Sequence, residues 1–234
     1  MSSRRRMMMA STKRKASQIP LRDKIIFSSG KTFIVQAKSV AGHEADSVTL
    51  VSEFVVETHD WNDGSAKYPE CEIHKSIMPK YYNKLNQIEK NAIIKRSFNC
   101  EHETKDDAGG GRNKVIYINA SSYFWAPSGK ELGLSTGKGA NLGFTDNASR
   151  KKTLKNSVAS GYYTTSTYYY FAYDINWDEG RVYVVTKNGT EEAKRTTELT
   201  GNLPRLSCGI LPCCDIKGTT MCKKDADGYW RIVD

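Results

Sequence analysis

An all-β fold follows from three features of the sequence. Short runs of β-branched and aromatic residues alternate at period two, turn signals such as Asn188-Gly189 separate them, and strand and helix patterns do not alternate as a parallel sheet requires. Together these predict an antiparallel β-sandwich or barrel.

In chain order, residues 1–24 are set apart by charge. Arg4, Arg5, Arg6, Lys13, Arg14, Lys15, Arg22 and Lys24 stand against the single Asp23, which places +7 of the chain's +9 in this stretch. A disordered basic arm over 1–24 and one folded β-domain over 25–234 are expected. Strands are predicted at 31–38 and 47–57, where Val48, Leu50, Phe54 and Val56 share a face. Tyr81, Leu85, Ile88 and Ala92 recur at helical spacing, predicting one amphipathic helix from near Pro79 to Arg96. Residues 101–113, ending in three glycines, read as a charged surface loop, and 114–119 and 122–125 as strands. The Tyr-rich segment 161–177 prefers a pleated surface. Asp178-Glu179-Gly180 is read as the loop of a hairpin to 181–187, and Asn188-Gly189 as the turn of the next, to 190–199. Segments at 208–211 and 228–234 bring the count to about eight strands.

Composition narrows the function classes. Hydrophobic residues make up 38% of the 234, and no apolar run approaches the ~20 residues a spanning helix needs, so a membrane protein is not expected. Thirteen Tyr, seven Phe and four Trp are too many bulky aromatics for a disordered chain. The arm lacks the apolar stretch of a secretory signal, and its two basic triplets suit nuclear import or phosphate contact. Without a secretory route the six Cys are expected to be reduced, buried small hydrophobes, and the sequons at Asn119, Asn147 and Asn188 unused.

Searches for catalytic and metal-binding patterns return weak matches. Gly133 to Gly139 departs from a phosphate-binding loop in spacing and lacks its Ser or Thr, so a flexible loop is expected. Cys71-x-x-His74 with Cys100-x-His102 lacks usual zinc spacing, and Asp225-x-Asp227-Gly228 lacks the terminal Glu of a calcium loop and reads as a turn. Asp60 with Asp63, or Asp106 with Asp107, could join a calcium site across a subunit boundary, but the expectation is no metal, no cofactor and no enzyme. The tyrosines of 162–173 have no interleaved cations, which favours core and inter-subunit packing over base stacking. Arg150, Lys151, Lys152 and Lys155 form the internal candidate for phosphate contact, with a solvated loop as the alternative.

A basic arm carrying Arg4 to Arg6, Lys13 to Lys15 and Arg22, followed by a Ser/Thr/Tyr-rich antiparallel β pattern from Lys31 to Asp234, resembles the coat proteins of small non-enveloped viruses. The resemblance implies a jelly-roll-like sandwich with an inserted helix. It also implies self-assembly into a large homo-oligomeric shell and packaging of nucleic acid by sequence-independent phosphate contacts, in a virion and in the host nucleus or cytoplasm. Removing residues 1–20 would then leave the fold intact and abolish nucleic-acid retention. The alternative is a cellular nuclear protein whose β-domain binds nucleic acid or a partner, with the arm read by nuclear-import receptors.

Overall fold

The computed structural model describes residues 13–60, 67–105, 113–135, 137–154, 159–160, 162–171, 178–195 and 207–234. Its strands are β1 (Arg14–Lys15), β2 (Lys24–Ile26), β3 (Thr32–Lys38), β4 (Ser47–Ser52), β5 (Thr58–Asp60), β6 (Ile93–Ile94), β7 (Arg96–Lys105), β8 (Asn113–Ser122), β9 (Lys152–Thr153) and β10 (Ala159–Ser160). They continue with β11 (Tyr162–Phe171), β12 (Asp178–Val185), β13 (Glu191–Arg195), β14 (Ser207–Gly209), β15 (Cys213–Lys217), β16 (Met221–Lys224) and β17 (Trp230–Ile232). Helices α1 (Met78–Asn83), α2 (Gln87–Ala92) and α3 (Asn147–Arg150) are short, so the chain is mostly β, as expected.

One sheet runs β1-β16-β17-β2-β3-β4-β15-β6, and the second runs β13-β12-β11-β14-β5, with β7 joining β11 to β8. Most pairs are antiparallel; β17 with β2, β11 with β14 and β11 with β7 run parallel. The Asn188-Gly189 turn forms as predicted: Val185 faces Glu191, and Thr186 N–H donates to Thr190 O at 2.8 Å. Gly189 has φ of 81°, and a Cβ there would meet Asn147 O at 2.0 Å.

The period-two rule fails at β4, where all six residues are buried. A strand covered on both faces has no wet side to advertise by alternation. One face packs Leu50 with Phe27, Phe33 and Phe124, whose rings meet at centroid distances of 5.1 to 6.5 Å. The other carries Thr49 and Val51, in line with Asp215 and Cys213 of β15.

Several boundaries differ from expectation, each for a local reason. The single helix is a π-helical turn (Ile73–Ile77) followed by α1 and α2. Asn86 breaks it, accepting from Glu89 N–H at 2.9 Å, while the Glu89 carboxylate accepts from Asn86 N–H at 3.1 Å and from Ser28 N–H at 2.6 Å. Tyr81, Leu85 and Ala92 are buried as the periodicity required, but Ile88 is exposed. Residues 101–105 extend β7 rather than starting a loop, and 178–180 pair with Tyr169 to Phe171 rather than turning. The glycine-rich stretch Gly133 to Gly139 is flanked by a packed base, in which Leu132, Leu142 and Phe144 are fully buried.

The arm also ends sooner than its charge suggests. From Arg14 the chain is part of the first sheet, Arg14 facing Cys222 and Lys15 facing Met221, and Ala16 and Ile19 are fully buried. Two apolar side chains in a polar segment were enough to anchor it, and the expectation that residues 1–20 could be removed without harm to the fold is withdrawn. Arg4, Arg5 and Arg6 lie outside the described residues.

Candidate functional site

Two concentrations of charge stand out, one inside the molecule and one at a sheet edge. The interior cluster is built from His43, Asp215 on β15, Arg96 on β7 and Glu131 in the loop after Trp125. His43 Nδ1 lies 2.9 Å from Asp215 Oδ2, and Thr49 Oγ1 donates to Asp215 Oδ1 at 2.7 Å. His43 Nε2 lies 3.6 Å from Glu131 Oε1, which accepts from Arg96 Nη1 at 2.5 Å. Ser128 N–H and Trp125 Nε1 donate to the other Glu131 oxygen at 2.9 and 3.3 Å. The Arg96 guanidinium sits 4.6 Å above the Trp125 ring centre, a cation–π contact in an apolar setting.

Arg96 and the His43 imidazole face two carboxylates here, and all four side chains are all but inaccessible. Burial pulls the His43 pKa down, but the Asp215 and Glu131 carboxylates outweigh it and the net shift is upward. For Glu131, burial pushes up, while His43, Arg96 and the Ser128 N–H overcome it and hold the carboxyl below its usual range. Cys213 nearby is pushed well up by burial, which keeps it a thiol rather than a nucleophilic thiolate. The cluster ties the first sheet to β7 and the 126–144 loop.

The edge site is a three-stranded ribbon of β1, β16 and β17. Directly opposed residues, and residues two apart on one strand, project to the same side. The registers Lys15 to Met221 and Lys223 to Arg231 therefore put Lys15, Lys223 and Arg231 on one face, all three exposed. On the other face, the Arg14 guanidinium and Lys224 ammonium lie 5.8 and 5.4 Å from the Trp230 ring centre. Trp230 Nε1 donates to Asp23 Oδ2 at 2.8 Å, and Arg231 Nε to Asp225 Oδ2 at 2.8 Å. Asp225 Oδ1 accepts from the N–H groups of Asp227 and Tyr229, which makes 225–228 the turn expected.

The remaining candidate cations fare differently. Lys13 is exposed and its Nζ donates to Asp234 O at 2.7 Å. Arg22 donates to Gln36 Oε1 at 2.8 Å and Gly143 O at 3.2 Å, and Lys24 pairs with Glu53. Arg150 is buried and donates to Gly189 O, Leu132 O and Asn147 Oδ1, so it braces the 186–190 hairpin instead of facing solvent. Lys152 is also buried and Lys151 exposed, while Lys155 lies outside the described residues. The basic run is thus no surface strip, because Arg150 at the end of α3 and Lys152 on β9 are both turned inward.

Cys71, Cys100 and His102 are buried, the His74 ring packs against Tyr68 at 5.1 Å, and no group of three potential metal ligands occurs among the described residues. The candidate calcium residues Asp63, Asp106 and Asp107, and the side chains of the tyrosine strand, lie outside the described residues.

Sequence reasoning missed the interior cluster altogether. Its members lie up to 172 residues apart, and the one available signal was Asp215 alone between the apolar Cys214 and Ile216. No curated protein and no solved structure matches the chain. A family model does match residues 45–218, a span that holds Arg96, Glu131 and Asp215 but ends before β16 and β17. That match covers most of the sequence, and the chain belongs to the family described as Domain of unknown function (DUF6273).

Proposed function

We propose that this chain is a non-enzymatic β-domain that binds nucleic acid through the phosphate backbone, using its basic N-terminal segment and the edge ribbon. The observation that carries the proposal is the shared face of Lys15, Lys223 and Arg231, of which Lys15 follows Arg4 to Arg6 closely in sequence. Cations on a pleated face with short spacing neutralise neighbouring phosphates without reading bases, and counterion release drives that contact at low salt. The coat-protein reading is the form of this proposal in which many copies assemble around the bound polymer.

The test is binding of a fluorescent single-stranded oligonucleotide to the full chain over a salt series, with the Lys15→Gln, Lys223→Gln double variant alongside. Tight binding at low salt that falls steeply with salt, and less steeply in the variant, is expected. No binding by the wild-type chain at low salt would end the proposal. Size-exclusion chromatography with light scattering then separates its forms: megadalton particles with nuclease-protected nucleic acid mark a coat protein, and a small species marks a nuclear or partner-binding domain.

A further inference from the structure

The two large sheets end on β1, β6, β13, β5 and β8, and four of these edges are unsuited to further pairing. Strands β1 and β6 have two residues each and β5 has three, too few to seat another strand. Strand β13 is longer but carries Glu191, Glu192, Lys194 and Arg195 in its five residues. Strand β8 is the exception. It runs for ten residues, faces β7 through ten consecutive pairs without a bulge, and among the described residues has no strand on its other side. From Val115 to Ser122 it holds no charge and no proline, two of the devices by which natural edges turn away an incoming strand. Its side chains are also incompletely covered on both faces. Val115 and Tyr117 on the outer face are 45% and 46% exposed, and Ile116 and Ile118 on the opposite face are half-buried. A strand laid beside β8 would cover all four.

We propose that this edge binds a second copy of the chain, β8 against β8 in antiparallel register about a two-fold axis at Tyr117. The occupant follows from the strand's own sequence. Turning the strand end for end about Tyr117 places Ile116 opposite Ile118 of the second copy, and Ile118 opposite its Ile116, so the half-buried faces meet as one apolar row. On the outer face Tyr117 meets its counterpart and Val115 meets Asn119. The strand's one cation, Lys114, lies opposite Ala120, which keeps the two Lys114 residues about 20 Å apart along the strands. Backbone hydrogen bonds along the free edge supply the attraction, and the isoleucine row sets the register. Such a contact uses the same patch on both copies and closes on itself, joining two sheets into one that runs β7-β8-β8-β7. It goes beyond the nucleic-acid reading, since the ribbon of β1, β16 and β17 lies in the other sheet.

The experiment is sedimentation velocity of the nuclease-treated full chain over a concentration series, in salt high enough to release bound polyanions. Wild type should sediment as a dimer that dissociates on dilution. Tyr117→Lys sets two like charges face to face at the axis, and its pair should dissociate at least about tenfold more readily. Tyr117→Glu should do the same. Within one copy Tyr117 faces Glu101 on β7 and has the Lys138 ammonium 3.8 Å from its ring centre, so a charge of either sign finds a partner there. Mixing the two variants should restore pairing as a one-to-one heterodimer, which damage to the fold would not produce. A wild-type chain that is monomeric at every concentration overturns the proposal, as do dimers or larger particles that Tyr117→Lys leaves unweakened. Amide exchange keeps the test decisive should a variant fail to fold: in the wild-type dimer, the alternate amides of 114–122 that point away from β7 should be protected, and fast exchange there also overturns the proposal. Because these measurements are made without nucleic acid, failure of the ribbon proposal and failure of this one are separable.

Discussion

The interior cluster and the edge ribbon both gather basic side chains, and they use charge in opposite ways. Around His43, the imidazole and Arg96 meet two carboxylates at hydrogen-bonding or near-contact distances, and Thr49, Trp125 and Ser128 also donate to those carboxylates, while His43 Nε2 and Arg96 Nε make no hydrogen bond among the described residues. At the ribbon, Lys15 and Lys223 stand exposed on a face shared with Arg231. In a low-dielectric interior an unmatched charge is so costly that only a neutral, geometrically fitted set survives. In water a surplus costs little and leaves attraction over for a partner. Sign balance thus separates charge that specifies the fold from charge that meets something else.

The largest effect should come from unbalancing the interior. Arg96→Met leaves Glu131 short of its closest partner, and urea unfolding should show a loss of about 3–5 kcal/mol. A loss below about 1 kcal/mol would mean that the cluster rearranges and the contrast with the ribbon is overstated.

Next is the anchored segment between the two regions. Ile19→Ala should cost about 2–5 kcal/mol, since Ile19 is fully buried, whereas removing residues 1–12 should leave the unfolding midpoint unchanged. If a chain starting at residue 21 unfolded at the same midpoint as the full one, the ribbon would not be part of the folded body.

A smaller effect is the pH dependence of His43. Its pKa is raised in the folded state, so the protonated imidazole contributes fully below about pH 6.5, its unfolded value. That contribution is lost as pH rises through the higher folded value. Glu131 runs the other way: its lowered pKa makes its contribution complete above the unfolded value, and the contribution is lost as pH falls through the folded one. The stability difference between wild type and His43→Asn should shrink from pH 6 to pH 9; taking the difference cancels other titrating groups such as Lys152. A difference that stays level across that range would show that His43 carries no charge in the fold.

The smallest stability effect belongs to the ribbon. Lys15→Gln with Lys223→Gln should change unfolding by less than about 0.5 kcal/mol while weakening oligonucleotide binding. A large loss of stability there would place these lysines with the interior set.

Local signals were legible in the sequence and long-range ones were not. The Asn188-Gly189 hairpin, the Asp225 turn, the buried face of Tyr81, Leu85 and Ala92 and the strand at 32–38 each depend on residues within a few positions of one another. Strands β7, β15 and β16 escaped notice because their charged residues broke the apolar pattern, although Asp215 and Arg96 are buried by pairing with partners far along the chain. The N-terminal charge was visible, but not that Ala16 and Ile19 would outweigh it. For the same reason the Arg150 to Lys152 run looked like a surface strip: nothing in its spacing reveals that Arg150 caps a neighbouring hairpin.

The parallel contact of β17 with β2 has a kinetic consequence. Trp230 pairs with Ile25 and donates to Asp23, and β16 completes the pairing of β1, so strands made first wait for strands made about 200 residues later. During synthesis β2 lacks its β17 neighbour, and Ile19 and Ile25 lack part of the cover they have in the finished sheet. Closing so long a loop makes the late step slow compared with local hairpin formation, and an unfilled strand edge during that interval invites pairing with another copy. Expression at lower temperature, or with a chaperone that shields nascent strands, should therefore raise the yield of folded protein more than changes to the arm itself.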